Sequence, residues 1–171
     1  MKKQIYLFEL SDNFAGQVKL PYGTGLVWSY CAQDDIIKSN YELGGWMYYK
    51  EEIDRILSKV ENPSIVGFSN FVWNTIMNYL LAKKIKEKYP NCIIIFGGQG
   101  TPKSDRVSNF FIEHPYIDIT VHGEGEISFK EILLENLNKK PNFKNVLGCS
   151  VKEFDLSAFS TLSRPRIKDI D

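Results

Sequence analysis

Residues 92–98 read CIIIFGG. Five apolar residues in a row, three of them β-branched isoleucines, favour a strand over a helix, and the paired glycines close it. No polar residue interrupts the run, so both faces of the strand are expected to be covered. Strands of that kind belong to parallel sheets with helices packed on either side.

The pattern repeats outward from this strand. Upstream, Thr75–Tyr89 carries Met77, Leu81, Ile85 and Tyr89 four residues apart, which predicts a helix that Pro90 ends. Before it, SIVGFS (Ser64–Ser69) reads as another buried strand. Ile53, Ile56, Leu57 and Val60 mark one helical face, stopped at Asn62–Pro63. Gln4–Leu10 (QIYLFEL) is the first strand, and Leu26–Cys31 is part of a helix opened near Pro21–Gly25. The stretch YELGGWMYY (Tyr41–Tyr49) is aromatic and extended, but Gly44 and Gly45 split it and leave its reading open. Downstream, Val107, Phe110 and Phe111 mark a short helix ending near His114–Pro115. Asp118–His122 reads as a strand, Phe129, Ile132, Leu133 and Leu137 as a helical face, and Val146–Val151 as one last strand. Strands alternating with amphipathic helices predict an α/β fold: a three-layer, doubly wound, Rossmann-like or flavodoxin-like sandwich with a mostly parallel sheet.

With 171 residues the chain suffices for one domain with a proper core. Lys+Arg and Asp+Glu are both 21, so the formal net charge is zero, which argues against a nucleic-acid partner. No apolar run reaches membrane-spanning length, and MKKQIYLFEL lacks the features of a signal peptide; a cytoplasmic location is the expectation. Cys31, Cys92 and Cys149 stand far apart in no metal-ligand spacing and read as buried free thiols. His114 and His122 alone make no metal site, so no metal ligands and no catalytic residues are assigned.

In an open parallel sheet, ligands sit outside the carboxyl ends of the strands. Four stretches fall there: Asp12–Gly25, Ser69–Asn74 (SNFVWN), Gly97–Pro102 (GGQGTP) and His122–Glu126 (HGEGE). Each has a plain structural reading. Gly97–Gly98 can serve a turn with positive φ. Ser69, Asn70 and Asn74 suit helix capping, and Trp73 suits the core. Glu124 and Glu126 at a helix start complement the helix dipole. That last account leaves the second glycine of HGEGE unexplained, so the stretch is either a capped turn or the rim of a site. There is no GxxxxGK[ST], and GGQGTP is not GxGxxG, so NTP hydrolysis and dinucleotide binding are disfavoured.

As an ordered set, IVGFSNFVWN, LAKKIKEKYPNCIIIFGGQGTP and FFIEHPYIDITVHGEGEISFKEIL resemble the N-terminal B12 (cobalamin)-binding domain of cobalamin-type radical S-adenosylmethionine (SAM) enzymes. LPYGTGLVWSY is similar to that family's first loop and helix, and the likeness runs from about Lys3 to about Asp171. The resemblance implies a domain at residues 1–153 that holds a corrinoid at the carboxyl edge of its sheet. It implies cofactor-binding roles for Tyr22, Gly23 and Gly25 after the first strand, and for Ser69 near the nucleotide tail. It implies the same for Gly97 and Gly98, with Gln99 beside them, and for Gly123, Glu124 and Gly125.

Two departures shape the expectation. The DxHxxG signature of mutase-type B12 domains is absent: Phe14 stands where the ligating histidine would be, so a His-off cobalamin is implied. The CxxxCxxC cluster motif is also absent, so SAM and a 4Fe–4S cluster would belong to a separate radical SAM barrel. Residues 154–171 are read as a linker toward that barrel, which is the expected partner in the same polypeptide. The alternative is a vestigial, cofactor-free interaction domain with the same fold. A transferase with an unrelated nucleotide substrate is a third reading.

Overall fold

The computed structural model describes residues 1–12, 17, 19–103 and 106–165. Its strands are β1 (Lys3–Ser11), β2 (Tyr41–Tyr49), β3 (Pro63–Ser69), β4 (Ile93–Gly97), β5 (Ile119–Val121), β6 (Cys149–Lys152) and β7 (Ala158–Ser160). Between them lie α1 (Tyr22–Cys31), α2 (Asp35–Asn40), α3 (Ile53–Ser58), α4 (Thr75–Lys88), α5 (Val107–Glu113) and α6 (Glu126–Glu135). The strands form one sheet in the order β2-β1-β3-β4-β5-β6-β7. From β2 to β5 all neighbours are parallel, with Ile65 beside Ile93 and Ser69 beside Gly97; β6 and β7 each run antiparallel to the strand before.

Strand alternation sorts the apolar side chains into two cores. On one face Tyr6, Phe8, Val66, Phe68, Ile94 and Phe96 meet Ile56 of α3, Leu81 and Ile85 of α4 and Phe111 of α5. On the other, Ile5, Leu7, Ile65 and Ile95 meet Cys31 of α1, Ile37 of α2 and Phe129, Ile132 and Leu133 of α6. This is why the middles of the central strands, Ile5–Phe8, Ile65–Phe68 and Ile93–Phe96, carry no charged residue: each is buried on both sides. The sheet and its two helical layers are the doubly wound sandwich that the sequence predicts.

The structure differs from the sequence reading at three places. Between β1 and β2 the chain forms two helices. The second, α2, has only six residues, too few to display a period; Asp34 caps it, accepting hydrogen bonds from the amides of Ile36 and Ile37 at 2.9 and 3.3 Å. The ambiguous YELGGWMYY is the edge strand β2. Its glycines make room for a ring, since a Cβ on Gly44 would lie 2.5 Å from the Tyr6 side chain. Third, the stretch from Phe154 carries β7, paired residue for residue with β6 as Val151 beside Phe159. Three residues are too short to show alternation. Among the described residues no helix is long and apolar enough to cross a membrane.

Candidate functional site: a crevice at the reversal of strand order

From β1 the chain moves outward to β2, then returns to place β3 on β1's other side. The connections on the two sides of β1 therefore diverge, and a crevice opens at the carboxyl ends of β1, β3 and β4. Its volume is about 240 Å³. Leu7, Val27, Phe68, Phe71, Ile95, Val121 and Phe129 give it an apolar lining; Gly23, Gly67, Gly97, Gly98, Gly123 and Gly125 keep its walls low. Gly67 is a clear case: a Cβ there would lie 2.9 Å from Leu7 and 3.4 Å from Phe129, filling the crevice floor.

Three local devices set the rim. At α1, the helix follows Pro21, which offers no side-chain cap. Glu9 of β1 supplies one. One of its carboxylate oxygens accepts from the Thr24 amide at 2.7 Å and the Thr24 hydroxyl at 3.0 Å; the other accepts from the Gly23 amide at 3.3 Å. This binds the helix N-terminus to the strand whose end it overhangs. At β4, Gly98 has φ +87°, and its missing Cβ would lie 2.8 Å from the Asn70 carbonyl oxygen, so only glycine fits. The Asn70 amide donates to the Gly97 carbonyl at 2.7 Å and the Gly100 amide to the Asn70 carbonyl at 2.8 Å. At β5, Gly123 has φ +76° with no atom within 4 Å of its missing Cβ, so it serves the turn alone.

Gly125 is the N-cap of α6 and has no side chain to cap with; Glu126 stands in the first turn, where its charge suits the helix dipole. Both Glu124 and Glu126 border the crevice. The Glu126 Oε2 atom is buried and has no hydrogen-bond partner among the described residues. A buried acceptor in that condition calls for a donor, from water or from a bound molecule.

Of the residues singled out by sequence, Gly23, Ser69, Gly97, Gly98, Gly123, Glu124 and Gly125 border this one crevice. Gln99 borders an adjoining hollow with Lys103, His122 and Arg164. Tyr22 is three-quarters exposed and, like Gly25, is not part of the crevice lining. Sequence reasoning missed Gly67, Thr24 and Glu9. The small residue inside an otherwise bulky strand, SIVGFS, was the available signal for Gly67; nothing local marks Glu9. Trp73, expected in the core, is 57 % exposed and stacks on Phe71 with ring centres 4.6 Å apart and planes 5° apart. Phe14 and its neighbours 13–16 lie outside the described residues, as do residues 166–171.

Neither histidine borders the crevice. His122 shares a 2.8 Å hydrogen bond between its Nε2 and the Ser150 hydroxyl, and burial, aided by nearby Lys103, lowers its pKa. His114 packs on the other face against Tyr79 and Phe110. The three cysteines are buried and free, and burial pushes Cys31 and Cys92 up to about 12 and Cys149 up to about 11. Among the described residues no group of three or more His, Cys, Asp or Glu side chains could hold a metal ion.

Sheet order and the helices on both faces define an open, doubly wound α/β domain. By sequence, the chain is similar to one part of cobalamin-dependent radical SAM enzymes. It is 35% identical over 133 residues to the cobalamin-dependent radical SAM methyltransferase TokK of Streptomyces tokunonensis. It is 33% identical over the same length to the 2-(S-pantetheinyl)-carbapenam-3-carboxylate methyltransferase of Streptantibioticus cattleyicolor. Each match covers 78% of this chain and 19% of the relative, so the chain spans about a fifth of the length of these relatives. The fold is also that of part of the cobalamin-dependent S-adenosylmethionine radical enzyme OxsB, solved with aqua-cobalamin bound. That likeness has a TM-score of 0.72 at 16% identity, over 96% of this chain and 23% of OxsB. No protein-family model matches the chain.

Proposed function

We propose that the crevice holds a corrinoid, cobalamin, and that the chain serves as the corrinoid-holding domain beside a radical SAM barrel in the same polypeptide. The observation that carries this reading is the glycine-walled apolar crevice at the strand-order reversal. At about 240 Å³ it is smaller than the roughly 300–1,000 Å³ of an ordinary small-molecule pocket. It suits one flat heterocyclic part of a larger molecule whose remainder spreads over the sheet edge. Gly67, Gly97 and Gly98 admit that part, Leu7 and Phe129 flank it, and Glu126 accepts a hydrogen bond from an amide or hydroxyl of the ligand. The exposed Trp73, stacked on the half-buried Phe71, offers an apolar surface at the same edge.

The chemistry cobalamin supplies when bound is methyl carriage on cobalt, which accords with the methyltransferase names of two relatives. This chain's own residues bind and shield. With neither histidine among the residues that line the crevice, the reading is a His-off mode. SAM and the 4Fe–4S cluster are assigned to the barrel, and a cytoplasmic location accords with three unpaired thiols.

The test is direct. The purified chain is mixed with hydroxocobalamin, desalted, and read by visible absorbance. Retention of near-stoichiometric corrinoid by the wild type, lost in Gly67→Val, supports the reading. No retention by the wild type would favour a cofactor-free interaction domain.

A further inference from the structure

Three asparagines below the crevice mouth are unused by the reading above. Asn70 and Asn78 are fully buried and Asn74 is 1 % exposed. They follow one another at four-residue spacing from the end of β3 into α4, so Asn74 and Asn78 stack on one helix face. Burying three primary amides is costly unless their hydrogen bonds are met.

Here they are met almost completely, and by a particular set of partners. The Asn78 Nδ2 donates to the side-chain oxygens of Asn74 and Asn70 at 3.1 and 3.2 Å and to the Ser69 carbonyl at 3.3 Å. The Asn74 Nδ2 donates to the Ser69 and Leu10 carbonyls at 3.0 and 3.1 Å, and its Oδ1 accepts from the Phe71 amide at 2.8 Å. The Asn70 Nδ2 donates to the Gly100 carbonyl at 3.0 Å. Leu10 lies near the end of β1, Ser69 ends β3, and Gly100 follows β4. The amides therefore join the three strand ends around the reversal of strand order. Hydrocarbon side chains could fill the same volume but could not fix where those carbonyls point. None of the three borders the crevice.

We propose that Asn70, Asn74 and Asn78 form a positioning strap that holds the carboxyl ends of β1, β3 and β4 in fixed relation and so sets the width of the crevice. The proposal rests on reading that crevice as the corrinoid site, and its test separates the two. Asn78→Leu keeps the bulk and removes every donation from the central amide. Asn70→Ser, a milder change, removes the bridge to the Gly100 carbonyl. Two quantities are measured on the chain and both variants: hydrogen exchange of individual backbone amides, and the Kd for hydroxocobalamin by difference absorbance.

The expected result is exchange about tenfold faster at the Asn70, Gly100 and Thr101 amides, with the amides of α6 unchanged, and hydroxocobalamin binding about tenfold weaker. Should Asn78→Leu fail to fold, Asn70→Ser carries the same expectation. Exchange accelerated uniformly over the whole sheet would mean a general stabilising role and overturn the proposal. So would wild-type exchange and affinity in a folded variant. Faster exchange confined to the loops, in a chain whose wild type retains no hydroxocobalamin, would uphold the strap and sink the corrinoid reading alone.

Discussion

Gly98 and Gly123 form a matched pair that isolates what tertiary contact adds to a turn. Both have positive φ, +87° and +76°. In Gly123→Ala the methyl enters open space, so the cost is the left-handed backbone alone, about 1–2 kcal/mol. In Gly98→Ala the methyl also meets the Asn70 carbonyl oxygen at 2.8 Å and the Asn70 nitrogen at 3.0 Å. Those are backbone atoms held by hydrogen bonds to Gly97 and Gly100, and they cannot swing aside as a side-chain end would. Overpacking of that kind adds about 1–3 kcal/mol. The expected total is about 3 kcal/mol for Gly98→Ala. At about 2–4 °C per kcal/mol for a chain of this size, Gly98→Ala should lower Tm by about 6–12 °C and Gly123→Ala by about half as much. Urea unfolding with unchanged m-values would give the same order. Equal destabilisation by the two substitutions would refute the argument that the β3 and β4 loops are locked together at Asn70.

Other outcomes follow from the same geometry. Glu9→Ala should cost about 1 kcal/mol in urea unfolding, because the α1 N-terminus loses its only side-chain cap among the described residues. At pH 8 the three thiols should resist a disulfide reagent in the folded chain and all react in guanidinium chloride, since burial disfavours the thiolate. Burial also lowers the pKa of His114 and His122 below the ordinary value of 6.5. The unfolded chain then binds more protons, so stability should fall as pH drops below about 6.5, and the slope should flatten when both are replaced by glutamine.

The central strands were legible because burial on both faces writes itself into composition: Ile65–Phe68 and Cys92–Phe96 carry no polar residue, as a sheet covered by helices on both faces requires. Their parallel alternation with helices places the loops after them on one edge, and Gly23, Ser69, Gly97, Gly98 and Gly123 do border one crevice there. Length limited the rest. Six-residue α2 and three-residue β7 are shorter than the window over which a period can be counted. The roles of Glu9, Gly67 and Asn70 are not local at all. Glu9 caps a helix that starts 13 residues later, Gly67 is small because Leu7 of β1, and behind it Phe129 of α6, occupy the space of its side chain, and Asn70 meets Gly100 from the next strand's loop. Sequence determined which segments are strands and helices, through the period of their apolar residues; which partners meet across the crevice was decided only by the order in which those strands lie in the sheet.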